Sequence, residues 1–212
     1  MQIIAKSGKI PLDKHVFIFY IFYCTTIQEI FMQNKNLIIV DMQVDFITGS
    51  LANPNKEWAQ KVIQNILRLI KEFDGNIWFT RDTHSTNYLE TQEGQNLKIP
   101  HCIKGTPGWE IIPELRDYVT ENNVIDKNTF GFPYWAAVLG DRETYGGIEV
   151  PPTEVYLAGT VTSICVDSNA NGVKTAFPET IVGVYKDCCL DLDEKHHEAA
   201  LLAMEAKQIK II

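Results

Sequence analysis

Three residues of complementary chemistry stand where apolar runs give out: Asp41 after the run at 37–40, Lys127 just after Val124 and Ile125, and Cys165 soon after the run at 155–158. A carboxylate can take a thiol proton. An ammonium can hold that carboxylate ionised and stabilise a thiolate, and a thiolate can attack a carbonyl. Each residue alone has a plainer reading: Asp41 as a turn cap, Lys127 on a solvated face, and Cys165 as a small buried apolar side chain. A second group runs Asp82-x-His84, then Glu90, Glu93 and His101. Carboxylates mixed with imidazoles suit one divalent transition ion, Zn²⁺, Fe²⁺ or Mn²⁺, with positions left open for water or substrate. Asp82 and His84 are two apart at a strand end, so the period of two puts both on one face, and His101 returns from a loop to join them. The alternative is a solvated loop of acids and histidines.

The elements that must position these groups follow from the hydrophobic pattern. Residues 36–41 are a nearly continuous apolar run, as in a strand buried on both faces of a parallel sheet. Asn53 or Asn55 can cap a helix whose Ala59, Val62, Ile63, Ile66, Leu67, Ile70 and Phe73 line one face; Gly75 closes it. A strand at 76–80 leads to a long polar loop at 85–108, a length that in compact domains usually carries function. A short helix at 109–119, a strand at 124–125, a helix at 133–139 and a polar loop at 140–152 come next. Residues 155–157 read as a strand, Gly159 and Thr160 as a turn, and Ser163 onward as a helix, with Cys165 in its first turn. The unpaired N–H groups and positive dipole end there predict a thiol pKa below that of a free cysteine. A strand at 180–185, a helix at 192–207 and a strand at 209–212 complete the chain. Strand alternates with helix, which predicts a three-layer α/β/α fold on a mainly parallel sheet of about six strands. Parallel strands bring Asp41, Lys127 and Cys165 to one side of that sheet, where ligands bind.

Composition narrows the partners. A chain of 212 residues, 45% apolar and 22% charged, is long enough for one core, and its net charge of −8 argues against nucleic acid or an anionic membrane surface. Five cysteines, Cys24, Cys102, Cys165, Cys188 and Cys189, form no C-x-x-C pair or even framework and point to free thiols in a reducing cytoplasm. Residues 1–35 differ in character: lysines precede an apolar run at 16–23 that is too short to cross a bilayer and has no small-x-small cleavage site. They read as an extension outside a domain at 36–212, with Met32 as an alternative start; a chain beginning there is expected to fold.

Five stretches together resemble the isochorismatase-like cysteine hydrolases, and within them the nicotinamidase and pyrazinamidase group. They are residues 37–46 around Asp41, Gln43, Asp45 and Phe46; 81–84 with Asp82 and His84; 100–106 with His101; 126–130 with Lys127 and Phe130; and 159–166 with Cys165. The resemblance implies that family's fold, a Cys165–Asp41–Lys127 triad with Asp41 as general base, and a cis peptide between Thr160 and Val161. The N–H groups of Val161 and Cys165 would then face a developing oxyanion. It also implies metal ligation by Asp82, His84 and His101, with Glu93 as fourth ligand and Glu90 in reserve, and a homo-oligomer acting on a small-molecule amide. Phe46, Phe130 and Tyr134 would wall a ring pocket, whereas Trp135 reads equally as core. The aromatic that often precedes the family's Pro-His pair is replaced here by Leu97, Lys98 and Ile99. The implied reaction is amide hydrolysis through a thioester, nicotinamide to nicotinate and ammonia first. Another small amide, ureide or carbamoyl compound, or a catalytically silent protein, remains as an alternative.

Overall fold

The computed structural model describes residues 34–140 and 150–212. The apolar run at 16–23, the start at Met32 and most of the polar loop at 140–152 lie outside them. In chain order the elements are β1 (Lys35–Val40), α1 (Val44–Ile47), α2 (Lys56–Glu72), β2 (Asn76–Asp82), α3 (Gln92–Asn96), β3 (Val124–Lys127), α4 (Trp135–Leu139), β4 (Glu154–Thr160), α5 (Asp167–Ala176), β5 (Ile181–Leu190), α6 (Glu194–Ala206) and β6 (Lys210–Ile211).

β1 is apolar throughout because both its faces are covered. Leu37 and Ile39 pack with Val62, Ile63, Ile66 and Ile70 of α2, while Ile38 and Val40 pack with Val173 of α5 and Leu201 and Met204 of α6. Each such side chain contributes roughly 1.5–3 kcal/mol on burial, so the sheet is held from both sides. Side-chain caps start the two long helices: Asn55 accepts from the Trp58 N–H at 3.1 Å, and Asp193 from the His196 N–H at 2.9 Å.

The six strands are all parallel, in the order β3-β2-β1-β4-β5-β6. The chain moves outward in one direction after β1 and in the other after β4, so the crevice beyond the carboxyl ends of these two neighbours is the topological switch point. Asp41 ends one strand and Cys165 follows the other. The two strands touch closely there: Val40 pairs with Gly159, whose φ is +125°, and a Cβ on Gly159 would lie 2.1 Å from the Val40 carbonyl oxygen. Only glycine fits.

Several local expectations are corrected. The helix expected at 109–119 is two 3₁₀ segments, Pro107–Trp109 and Pro113–Tyr118. Pro107 and Pro113, with no N–H to donate, sit in their first turns and favour short pieces over one continuous helix. The loop at 85–108 holds a 3₁₀ turn, Tyr88–Glu90, and α3. Gly159 and Thr160 continue β4 instead of turning; the chain then enters a π-helical turn, Thr162–Val166, before α5. Gly75 forms no left-handed cap, since its φ is not positive and the helix already ends at Phe73 in extended backbone; a Cβ on Gly75 would meet the Lys35 carbonyl oxygen at 2.6 Å, so its role is close packing beside β1. Among the described residues no helix is long and apolar enough to cross a membrane.

Candidate active site

Asp41 leaves β1 with φ at +49°, in the left-handed region that a side chain seldom occupies. Thr80 of β2 holds it there. The Thr80 hydroxyl donates to Asp41 Oδ1 at 2.6 Å, and the Asp41 N–H lies 3.2 Å from both the Thr80 hydroxyl and the Thr80 carbonyl. The other carboxylate oxygen, Oδ2, lies 2.6 Å from Lys127 Nζ, and both side chains are fully buried. Lys127 comes from the end of β3, donates to the Thr129 carbonyl at 3.0 Å, and brings Nζ 3.9 Å from Cys165 Sγ. Acid, ammonium and thiol therefore meet in one buried cluster across the switch point.

The electrostatics differ from the dipole argument. Burial, reinforced by the Asp41 charge, pushes the Cys165 thiol well above its ordinary pKa, and Lys127 only partly opposes this. The expected depression is overturned because Cys165 sits 5% exposed beside a carboxylate, where desolvation outweighs a helix end. Burial also pushes Asp41 upward against the pull of Lys127. For Lys127, burial disfavours the ammonium, yet Asp41 and Cys165 more than reverse that and keep it a cation. The proton thus rests on sulfur, with a carboxylate poised to receive it.

The second cluster lies on the same side of the sheet. One ligand atom from each of Asp82, His84, Glu93 and His101 falls within 4.8 Å of all the others. His84 Nε2 is 2.9 Å from Asp82 Oδ2 and 3.6 Å from Glu93 Oε1; His101 Nε2 is 3.4 and 3.6 Å from the same two atoms. Burial raises the Asp82 carboxyl, but hydrogen bonds to His101 and His84 prevail and hold it well below the usual carboxylate range. His101 Nδ1 donates to the Ile99 carbonyl at 2.9 Å, which fixes the tautomer and leaves Nε2 free to ligate. Two imidazoles and two carboxylates, converging and one already oriented from behind, fit a borderline divalent ion. Glu93, on α3, belongs to this set, whereas Glu90 is exposed.

Between the clusters opens a cavity of about 710 Å³ that reaches Asp82, Glu93, His101, Cys165, Phe46 and Phe130. Tyr134 is not on its wall; it is 66% exposed and packs on Phe132 with ring centroids 5.6 Å apart. Trp135 is core, 1% exposed. The peptide between Thr160 and Val161 is cis, and both residues line the cavity beside Cys165.

Four supporting residues were not assigned roles from the sequence. Gln43 donates to the Asp82 and Trp109 carbonyls, each at 2.8 Å, and accepts from the Asp82 N–H at 2.7 Å, so its amide extends the sheet past β1 and clamps a ligand strand. Thr80 orients Asp41. Tyr88, 1% exposed, packs on both His84 and His101, with centroids 4.7 and 5.0 Å away. Asn169, one turn beyond the nucleophile, donates to the Cys165 carbonyl at 2.8 Å and accepts from the Phe132 N–H and Trp135 Nε1–H, both at 2.9 Å. The signal for Gln43 is its place in the stretch at 37–46; the other three carry no local signal.

Comparison with known proteins agrees with this geometry. Residues 35–212 match the family model described as the isochorismatase domain. The nicotinamidase of Saccharomyces cerevisiae is 28% identical over 183 residues, covering 64% of this chain and 79% of that protein. The crystal structure of pyrazinamidase of Pyrococcus horikoshii in complex with zinc superposes with a TM-score of 0.67 and 27% identity, over 84% of this chain and 98% of that one. The nicotinamidase from Bacillus subtilis shares the fold, with a TM-score of 0.66 at 22% identity over 84% and 99% of the two chains.

Proposed function

The chain belongs to the isochorismatase family, and on that premise we propose that it hydrolyses a small carboxamide through a cysteine thioester, with nicotinamide as the first substrate. The observation that carries this reading is the buried contact of Asp41, Lys127 and Cys165, at 2.6 Å and 3.9 Å from Lys127 Nζ, opening onto a cavity at the switch point. A resting thiol suits the chemistry. As sulfur attacks the amide carbon its proton passes to Asp41, so charge develops on the substrate oxygen and not on a free thiolate. The N–H groups of Val161 and Cys165 would receive that oxyanion. Asp41 then gives its proton to the departing ammonia. In the second half Asp41, again a carboxylate, takes a proton from water as the water attacks the thioester; the carboxylate product leaves and the thiol is restored.

Asp82, His84, Glu93 and His101 would hold one divalent transition ion, which supplies a Lewis-acid coordination point for a ring nitrogen or a water. Phe46 and Phe130 would flank the ring. The same reading takes the protein as a cytoplasmic homo-oligomer; the free thiols of Cys102, Cys165, Cys188 and Cys189 support the compartment.

The test is ammonia release from nicotinamide by purified protein with defined metals. Cys165→Ala is expected to lower kcat by at least about 10⁴-fold, on the scale seen when a catalytic nucleophile is removed. An unchanged rate in that variant would rule out the covalent route.

A further inference from the structure

The cavity is larger than a single ring, its carboxamide and one ion at Asp82, Glu93 and His101 together require. Pockets of about 300–1,000 Å³ hold drug-sized ligands, and this one measures about 710 Å³. Its excess has a definite chemical character. One wall is built from Leu51, Ala52 and Pro54 of the segment after α1, Leu190 and Leu192 at the end of β5, and Ile164 beside the nucleophile. Hydrogen bonds join these segments into one surface. The Asn53 side chain donates to the Asp191 carbonyl, and the Asp191 carboxylate accepts from the Ser163 N–H at 2.6 Å and hydroxyl at 3.1 Å and from the Leu192 N–H at 2.7 Å. Asn53 Oδ1 is likewise taken, by the Asn55 N–H at 2.8 Å. The two polar side chains on this wall are therefore engaged within the protein, and what the wall offers a ligand is apolar.

Charge narrows the class further. No lysine or arginine is among the residues lining the cavity, whereas Asp82, Glu93 and Asp191 are. Lys127 is buried, committed to Asp41 at 2.6 Å, and does not line the cavity. A substrate carrying a carboxylate besides its carboxamide would meet no lysine or arginine on this wall and would lose hydration without replacement.

We infer that the preferred substrate is an uncharged carboxamide whose ring carries an apolar substituent, seated against Leu51, Pro54, Ile164, Leu190 and Leu192. This rests on the amidase reading above and deepens it. Leu97 also lines the cavity, and its exposed neighbour Lys98 does not.

The experiment compares kcat/KM for nicotinamide with that for nicotinamides alkylated at ring carbon five and, separately, ring carbon six, from methyl to butyl, together with analogues whose alkyl chain ends in a carboxylate. In at least one series kcat/KM is expected to rise, by up to about fourfold per buried methylene, and the carboxylate-ended analogue to fall at least tenfold below its uncharged counterpart. Leu192→Asp is expected to reverse the ratio between butylated and plain nicotinamide. Hydrolysis of nicotinamide with kcat/KM falling from methyl onward in both series overturns this inference and leaves the amidase reading standing. No ammonia from any member overturns the amidase reading and this inference with it.

Discussion

At the scale of single residues, the working parts are groups whose neighbours set their protonation. Cys165 is held as a thiol by burial and by Asp41, so its alkylation by iodoacetamide should keep rising with pH beyond the range of an ordinary thiol, near 8.5. Neutralising the carboxylate in Asp41→Asn removes one cause of the upward shift and leaves Lys127 in place, so the alkylation profile should move to lower pH while kcat falls by about 10²–10⁴-fold for loss of the general base. A profile that moves upward instead would mean Asp41 does not act on the thiol. Asp82→Ala removes a ligand oxygen that faces both imidazoles at 2.9 and 3.4 Å. Bound metal, read by elemental analysis, should drop from about one equivalent to a small fraction, and KM should rise or turnover vanish with Cys165 still alkylatable. Protein stripped by chelator, verified metal-free and hydrolysing at full rate would reduce the cluster to a loop of acids and histidines.

At the scale of elements, the site is assembled by bonds that span long stretches of chain. Asn169 on α5 joins the nucleophile turn to the segment carrying Phe130 and Trp135. Asn169→Ala leaves a buried donor, the Trp135 indole, and a half-buried one, the Phe132 N–H, without their acceptor, and a fully buried loss of this kind costs about 1–3 kcal/mol. Urea unfolding should show at least about 1 kcal/mol of destabilisation, and the surviving folded enzyme should lose kcat, since the Cys165 backbone is freed. Such bonds explain what could be read in advance and what could not. Asp41 and Cys165 were legible because a doubly buried strand announces itself as an apolar run and the polar residue after it marks the ligand-binding end. Gln43, Thr80 and Asn169 hold partners 34 to 66 residues away in sequence, and no periodicity records a partner so distant. The thiol pKa was misread for a related reason: a helix end is visible locally, whereas the burial and carboxylate that outweigh it arrive from other strands. Tyr134 was misplaced because its neighbour Trp135 took the buried side of α4.

At the scale of the whole molecule, the fold exists as two apolar layers around a parallel sheet, and the chemistry occupies the one seam where strand order reverses. Gly159 lets β1 and β4 close at that seam, and the ion pair of Asp41 with Lys127 lies beside it with no exposure at all. A buried pair of this kind is weak support for stability when intact and strongly destabilising, by about 3–5 kcal/mol, when one partner is lost. Lys127→Met should therefore unfold at lower urea than the parent by that amount, and the double variant Asp41→Asn with Lys127→Met should recover most of it while remaining inactive. A double variant no more stable than Lys127→Met would mean the penalty is steric.

The consequence is a barrier in the space of sequences. Losing the Asp41–Lys127 pair takes two substitutions, and either first step leaves a charge stranded in the interior and a chain less able to stay folded, whereas the Cys165 thiol can be lost in one. Drift toward a silent relative is thus steered by foldability toward Cys165, and the acid and the lysine can outlast the nucleophile where selection on catalysis has lapsed.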